Sequence, residues 1–252
     1  MAWREGRTGL LALALLAAGL MGTACAPRPE KPDPRDLSAA RQAGLAFDIR
    51  LKREITARLE RGEDPVAVYL AYADNVPGWG KEISDAAKFD FSRTALGVRN
   101  PANAPDDWER RKMEEFAFLM DAGVDPETLE TTEIVQEGEE KVFRWMRPLQ
   151  MGEACLACHG EQLNPKVKLL LGQEYPADEA AGYSEGQIGG AYSVRKVLSV
   201  GGKPPPPYVP TPLPPRLPAD QRRADDAPVV QPAPVEPPTL ERSPYDLPAV
   251  PS

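Results

Sequence analysis

The sequence of 252 residues contains one histidine and three cysteines. A single imidazole leaves no room for a Ser-His-Asp or Cys-His catalytic set if that ring has another use. It also excludes a His-rich metal cluster. Three thiols cannot build a disulfide framework. Basic charge is short too: 30 Lys and Arg stand against 38 Asp and Glu, a formal net charge of −8. With no basic stripe beyond the first residues, nucleic acid is not an expected partner, because phosphate binding needs a positive face. Gly186, Gly189 and Gly190 lack the strand-then-helix setting of a phosphate-binding loop. No paired-carboxylate catalytic set stands out, and there is no internal repeat. The apolar run Leu10 to Leu20 is too short to span a bilayer comfortably.

That run fits the core of an export signal, with Arg4 and Arg7 before it. The chain then reads Leu20-Met21-Gly22-Thr23-Ala24-Cys25, which resembles a lipoprotein cleavage box in which Cys25 becomes the lipidated first residue. Gly22 stands where an aliphatic residue is usual. The rival is ordinary cleavage after Ala26, which places Pro27 at the cut, where its fixed φ and missing N–H suit few active sites. An uncleaved anchor ranks third. The expectation is a signal peptide over 1–24 and a periplasmic protein attached to a membrane through a lipid on Cys25. Ala26 follows that cysteine, with no Asp to signal inner-membrane retention, which favours the outer membrane.

Proline divides the rest of the chain. A Pro-rich tether covers residues 25–36. Seventeen of the 29 prolines lie after Lys203, so residues 201–252 are expected to be a disordered or polyproline tail and the folded domain to cover 37–200. Within it, Phe47, Leu51, Ile55 and Leu59 recur every fourth residue, which predicts a long amphipathic helix capped by Asp36 and ended by Gly62. Asp64-Pro65 opens a second helix through Ala73. Phe89 to Val98 reads as extended chain, and a helix follows from Pro105-Asp106-Asp107 to about Asp121. Thr131–Val135 and Lys141–Met146 read as short strands. A Gly-rich loop and a closing strand over Gly190–Val197 complete an α+β domain with an antiparallel sheet.

Residues 155–159 read Cys-Leu-Ala-Cys-His. Two thiols separated by two residues can reach two vinyl groups on one edge of a porphyrin. The adjacent His159 can then turn under the iron and offer an imidazole nitrogen, all within one helical turn. A zinc site would need four ligands, and there is no second Cys pair or second His. A redox dithiol needs no adjacent His, and no thioredoxin-like βαβ pattern surrounds it. The motif therefore predicts one covalent haem c, fixed by Cys155 and Cys158 with His159 as axial iron ligand.

Three stretches resemble the PAS-like c-type haem domain family, found in small periplasmic monohaem proteins and in haem sensor domains and formerly a domain of unknown function. They are residues 92–109, with Arg99-Asn100-Pro101 at their centre; Phe143-Arg144-Trp145-Met146-Arg147-Pro148-Leu149 leading into the Cys155–Gly160 motif; and Asp178 to Tyr183 with Gly189-Gly190-Ala191-Tyr192-Ser193-Val194 after it. Together they cover about residues 37–197, in the family order. The resemblance implies a PAS-like fold with a long N-terminal helix and haem c held on the sheet side. It also implies a distal Cys ligand in the helix after the long one, but the corresponding stretch, Ala67 to Asp74, contains none.

Other sixth ligands stay open. Met113, Met120, Met146 and Met151 each carry a thioether. Met146, on an expected strand, is the best placed of them, and Met151 should lie on the proximal side. Tyr69 and Tyr72 stand in the helix that lacks the Cys, and an open or water-occupied position completes the choices. Arg93, Arg99, Arg144 and Arg147 are candidates to pair the haem propionates, Arg99 first among them. Trp108 and Trp145 read as core, and Asn100-Pro101 as a turn. The functional expectation is a monohaem c protein for electron transfer or for redox or small-ligand sensing, working with a separate redox or signalling protein. A haem peroxidase and a lipid-anchored accessory protein are the alternatives. Peroxide chemistry usually needs a distal acid–base group, and the only His is committed to iron.

Overall fold

Asp33 opens the first helix. In the computed structural model, which describes residues 30–210 and 212, α1 runs Pro34–Glu60 and the Asp33 carboxylate accepts from the Arg35 N–H at 2.8 Å. Asp36, expected as the cap, lies inside the first turn instead. Pro34 explains the shift, since its missing N–H is harmless at the first helical position and its φ is already helical.

The second helix, α2 (Pro65–Ala87), starts as read, with the Asp64 side chain accepting from the Val66 N–H at 2.9 Å. It continues well past Ala73, through Pro77 and Gly80. Pro77 removes one intrahelical hydrogen bond. Val76, Trp79 and Ile83 nevertheless pack onto the same core as α1, and that packing overrides local propensity. Lys88, at φ 59°, ends the helix in a left-handed cap whose N–H bonds to the Ser84 carbonyl.

Four antiparallel strands follow: β1 (Asp90–Thr94), β2 (Thr131–Glu137), β3 (Glu140–Gln150) and β4 (Ile188–Val200), in the spatial order β1-β4-β3-β2. Three further helices lie between them: α3 (Asp107–Asp121), the single turn α4 (Leu156–His159) and α5 (Pro165–Glu174). Of the stretch expected to be extended, only Asp90–Thr94 forms strand. Pro101–Asn103 coils into a 3-10 turn, with the Asn100 side chain accepting from the Ala102 N–H. α3 carries a full capping box between Asp106 and Glu109.

The sheet separates two interiors by the period-two alternation of its strands. On one face Phe143, Trp145, Tyr192 and Val194 pack with Phe47 and Leu51 of α1 and Val76 of α2. On the other, Met146 and Ala191 pack with Trp108, Met113 and Phe116 of α3. Both tryptophans are buried as expected, and each indole N–H donates to a glutamate: Trp108 to Glu133 at 2.9 Å and Trp145 to Glu130 at 3.0 Å. After β4 the chain turns at Val200–Lys203, and Tyr208 is half-buried beyond it. No described helix is long and apolar enough to cross a membrane. Residues 1–24 and Cys25 lie outside the described residues, as does the chain from 213 onward.

Candidate functional site

A cavity of about 1110 Å³ opens between the α1–α2 pair, β1 and the segment from Met151 to His159. This exceeds the roughly 300–1,000 Å³ of ordinary small-molecule pockets. Its helix walls are largely apolar, including Leu51, Ile55, Val68, Ala73 and Val76, and Tyr208 from the start of the expected tail borders it.

Cys155, Cys158 and His159 all line this cavity. Cys155 ends a 3-10 turn, and α4 then carries Cys158 and His159 round one helical turn. Gly160 closes it, with its N–H bonded to the Leu156 carbonyl at 2.9 Å. A Cβ there would lie 2.7 Å from that same oxygen. The two cysteines are free thiols. Burial pushes the Cys158 thiol pKa up, so it stays protonated at neutral pH.

The His159 ring is held in one tautomer. Its Nδ1 lies 2.7 Å from the Ala180 carbonyl oxygen, which can only accept, so Nδ1 carries the proton. Burial, and then the charge of Arg99, lower the imidazole pKa to about 4. The ring is therefore neutral at pH 7, and Nε2 keeps a free lone pair. That is the state in which an imidazole binds a metal, with its other nitrogen fixed by a backbone carbonyl. No cluster of three or more His, Cys, Asp or Glu suited to a metal ion occurs among the described residues.

Arg99 organises the loop that holds His159. Its Nε donates to Asp178 at 3.0 Å, and one terminal nitrogen donates to the carbonyls of Cys158 and Ala180 at 2.7 and 3.0 Å. Asp178 in turn accepts from the Ala180 N–H at 2.8 Å. Tyr183 N–H bonds to the His159 carbonyl, and Glu179 N–H to that of Val98. Gly97 permits this approach, since a Cβ there would stand 2.7 Å from the Tyr183 hydroxyl and 2.8 Å from the Glu179 carbonyl oxygen. Arg99 thus borders the cavity, but its guanidinium is already neutralised by Asp178.

The other sequence candidates separate. Met146 does not join the site. It has the opposite parity to Trp145 on β3, so it faces α3 and is wholly buried there. Met151 is the described methionine that lines the cavity, its thioether seated against Gly189, where a Cβ would come within 2.5 Å of Cε. Arg144 follows the parity of Met146 and pairs with Asp106, Glu109 and Glu137 beneath Trp108. Arg147 donates to the Glu127 carbonyl, away from the motif. Arg93 is in the cavity, its guanidinium donating to the Tyr72 hydroxyl. Tyr69 also borders the cavity, and its hydroxyl donates to Glu174 at 2.6 Å.

Sequence reasoning missed α5, which follows the motif where a Gly-rich loop was expected. Its Val167, Leu170 and Leu171 pack with Tyr69 and Ala73 against Cys158. The signal was present in Asn164-Pro165, the same cap-and-proline pair that opens α2; Asn164 accepts from the Lys166 N–H.

Helices over one face of a four-stranded antiparallel sheet, with a Cys-X-X-Cys-His turn set into the cavity between them, define a PAS-like α+β domain. The chain belongs to the Tll0287-like family, whose match covers residues 48–196. It is similar in fold to the crystal structure of the cyanobacterial haem protein Tll0287, with a TM-score of 0.51 and 20% identity over 67% of this chain and 99% of that one. No curated protein sequence matches.

Proposed function

We propose that this cavity holds one haem c, with Cys155 and Cys158 forming the two thioethers and His159 Nε2 the axial bond to iron. The observation that carries the reading is that both free thiols and a tautomer-fixed imidazole border one large, mainly apolar cavity. Membership of the family, and likeness to a protein described as a haem protein, support it. The bound group supplies one-electron chemistry and an iron coordination position. The protein's own part is to fix His159 through Ala180 and Arg99 and to exclude water with the α1 and α2 side chains.

The sixth position is open or weakly ligated in this reading. Tyr69 and Tyr72 already bond to Glu174 and Arg93. Among the described residues the cavity lining contains no cysteine or histidine beyond the motif, and Met151 is its one thioether. A small neutral ligand then has physical access to iron, which favours a redox- or ligand-responsive binding module over a peroxidase, whose distal acid–base group this lone imidazole cannot provide. Haem c attachment belongs to exported proteins. The Arg4, Arg7 and Leu10–Leu20 signal supports that route, and Cys25 is the proposed lipid site.

The deciding measurement is the absorption spectrum of the purified ferrous protein, produced in a host that exports and matures c-type haem, before and after carbon monoxide. A covalent haem whose spectrum changes rapidly with the gas is expected. A low-spin spectrum that ignores the gas overturns the open site, and a chain with no added haem mass overturns the whole reading. Mass spectrometry of the mature N-terminus tests the anchor; an unmodified chain starting at Pro27 refutes it.

A further inference from the structure

Among the described residues, Arg93 is a cation without a counter-ion. It stands on β1 opposite Tyr192 of β4. Its guanidinium carbon lies 5.6 Å from the Phe47 ring centre and 5.5 Å from that of Tyr72, and one terminal nitrogen donates to the Tyr72 hydroxyl. These contacts from α1 and α2 hold the group in place but do not neutralise it. Among the described residues no carboxylate lies within ion-pair distance of it, whereas Arg99 has Asp178 and Arg144 has Asp106, Glu109 and Glu137. Asp48, the carboxylate that reaches Tyr192 from α1, accepts that hydroxyl and pairs with Lys52.

A half-buried charge left unpaired costs free energy that a bound anion would offset. A guanidinium has five N–H donors in a fork that matches a carboxylate, and here one terminal nitrogen is engaged, by Tyr72. Arg93 lines the same cavity as Cys155 and His159. Whatever anion it takes is therefore bound in the cavity that holds the motif.

We infer that Arg93 anchors a carboxylate of the group held in the cavity. Under the haem reading, on which this assignment rests, that carboxylate is a propionate. Arg99, the more obvious choice from sequence, is instead a positioning residue for His159.

The test uses the haem-loaded protein with the propionate carboxyls labelled with carbon-13, followed by infrared spectroscopy across pH. In the wild type the labelled band should remain that of an ionised carboxylate into the acidic range where propionates of free haem take up protons. In Arg93→Gln the same band should convert to the protonated form at higher pH. The midpoint potential, flat around neutrality in the wild type, should gain a downward slope with rising pH in this variant, because an ionised propionate favours oxidised iron. Arg93→Lys, which keeps the charge without the fork, should fall between the two. A labelled band that titrates identically in wild type and Arg93→Gln overturns the assignment while leaving the haem reading intact. If Arg93→Gln does not accumulate, a wild-type band that titrates as in free haem overturns it equally. A wild-type chain carrying no haem removes the reading itself and this assignment with it.

Discussion

His159 Nδ1 donates to the carbonyl of Ala180 at 2.7 Å, across 21 residues of sequence. That bond leaves Nε2 as the free nitrogen and fixes the direction in which the ring can bind. Its acceptor is held twice over, because Arg99 also donates to the Ala180 carbonyl and Asp178 accepts from the Ala180 N–H.

Loss of either motif thiol should prevent stable haem loading. Cys155→Ala and Cys158→Ala each remove one of the two thiols on the cavity wall. The pyridine haemochrome yield and the intact mass of the exported protein report the result. Normal covalent haem in the double variant would end the proposal.

Breaking the Arg99–Asp178 pair should cost both stability and site order. Both side chains are largely buried, at 12% and 15% exposure, and removing one partner of such a pair costs about 3–5 kcal/mol. Arg99→Leu should therefore lower the urea midpoint and broaden the haem Soret band. Arg99→Lys should rescue little, since a lysine ammonium cannot bridge Asp178 and two carbonyls as the guanidinium fork does. An unchanged urea midpoint in Arg99→Leu would rule out the clamp.

The two strand-linked methionines should behave differently. Met146→Leu is a volume-conserving change in the α3-side core and should cost less than about 1.5 kcal/mol, with haem spectra unchanged. Met146→Ala should cost about 2–5 kcal/mol. Met151→Leu should leave stability near wild type but alter the ferric spectrum if the thioether reaches iron. A ferric spectrum identical in wild type and Met151→Leu would exclude that residue as ligand.

Acid should loosen the first helix from the sheet. Hydrogen bonds from Arg41, joined by the indole of Trp145, hold the Glu130 carboxyl below its ordinary 4.5 despite the opposing cost of burial. A carboxyl with a lowered folded pKa stabilises fully above the unfolded value, and that contribution is lost as pH falls through the folded one. Stability should decline below about pH 4.5, with Trp145 emission shifting in step. Glu130→Gln should flatten the decline. An identical acid profile for the two proteins would remove Glu130 as its source.

Much of this was legible in the sequence because it is local. The Cys155–His159 string dictates its own turn, and Phe47, Leu51, Ile55 and Leu59 declare a helix by spacing alone. What escaped depends on contacts between distant segments. α2 passes through Pro77 because Val76, Trp79 and Ile83 find the α1 core, and no window around residue 77 shows that. The partner of Arg99, Asp178, is 79 positions away, so the sequence shows the cation without showing what it pairs with. Arg93 could not be told from its rivals until the fold had paired Arg99 and Arg144 with carboxylates and set Arg147 outside the cavity. Met146 was a matter of parity: a strand places every second side chain on the same face, and which face holds the cavity is a tertiary fact.

Because β3 alternates between the two interiors, substitutions in one should combine with substitutions in the other as nearly independent events, as expected for sites without shared partners. Phe143 and Trp145 belong to the compartment that abuts the cavity, Met146 and Arg144 to the one beneath α3. A lineage, or an engineer, can therefore adjust the robustness of this protein through the α3 compartment while the chemistry beside His159 is kept, and can explore that chemistry with the stability so gained.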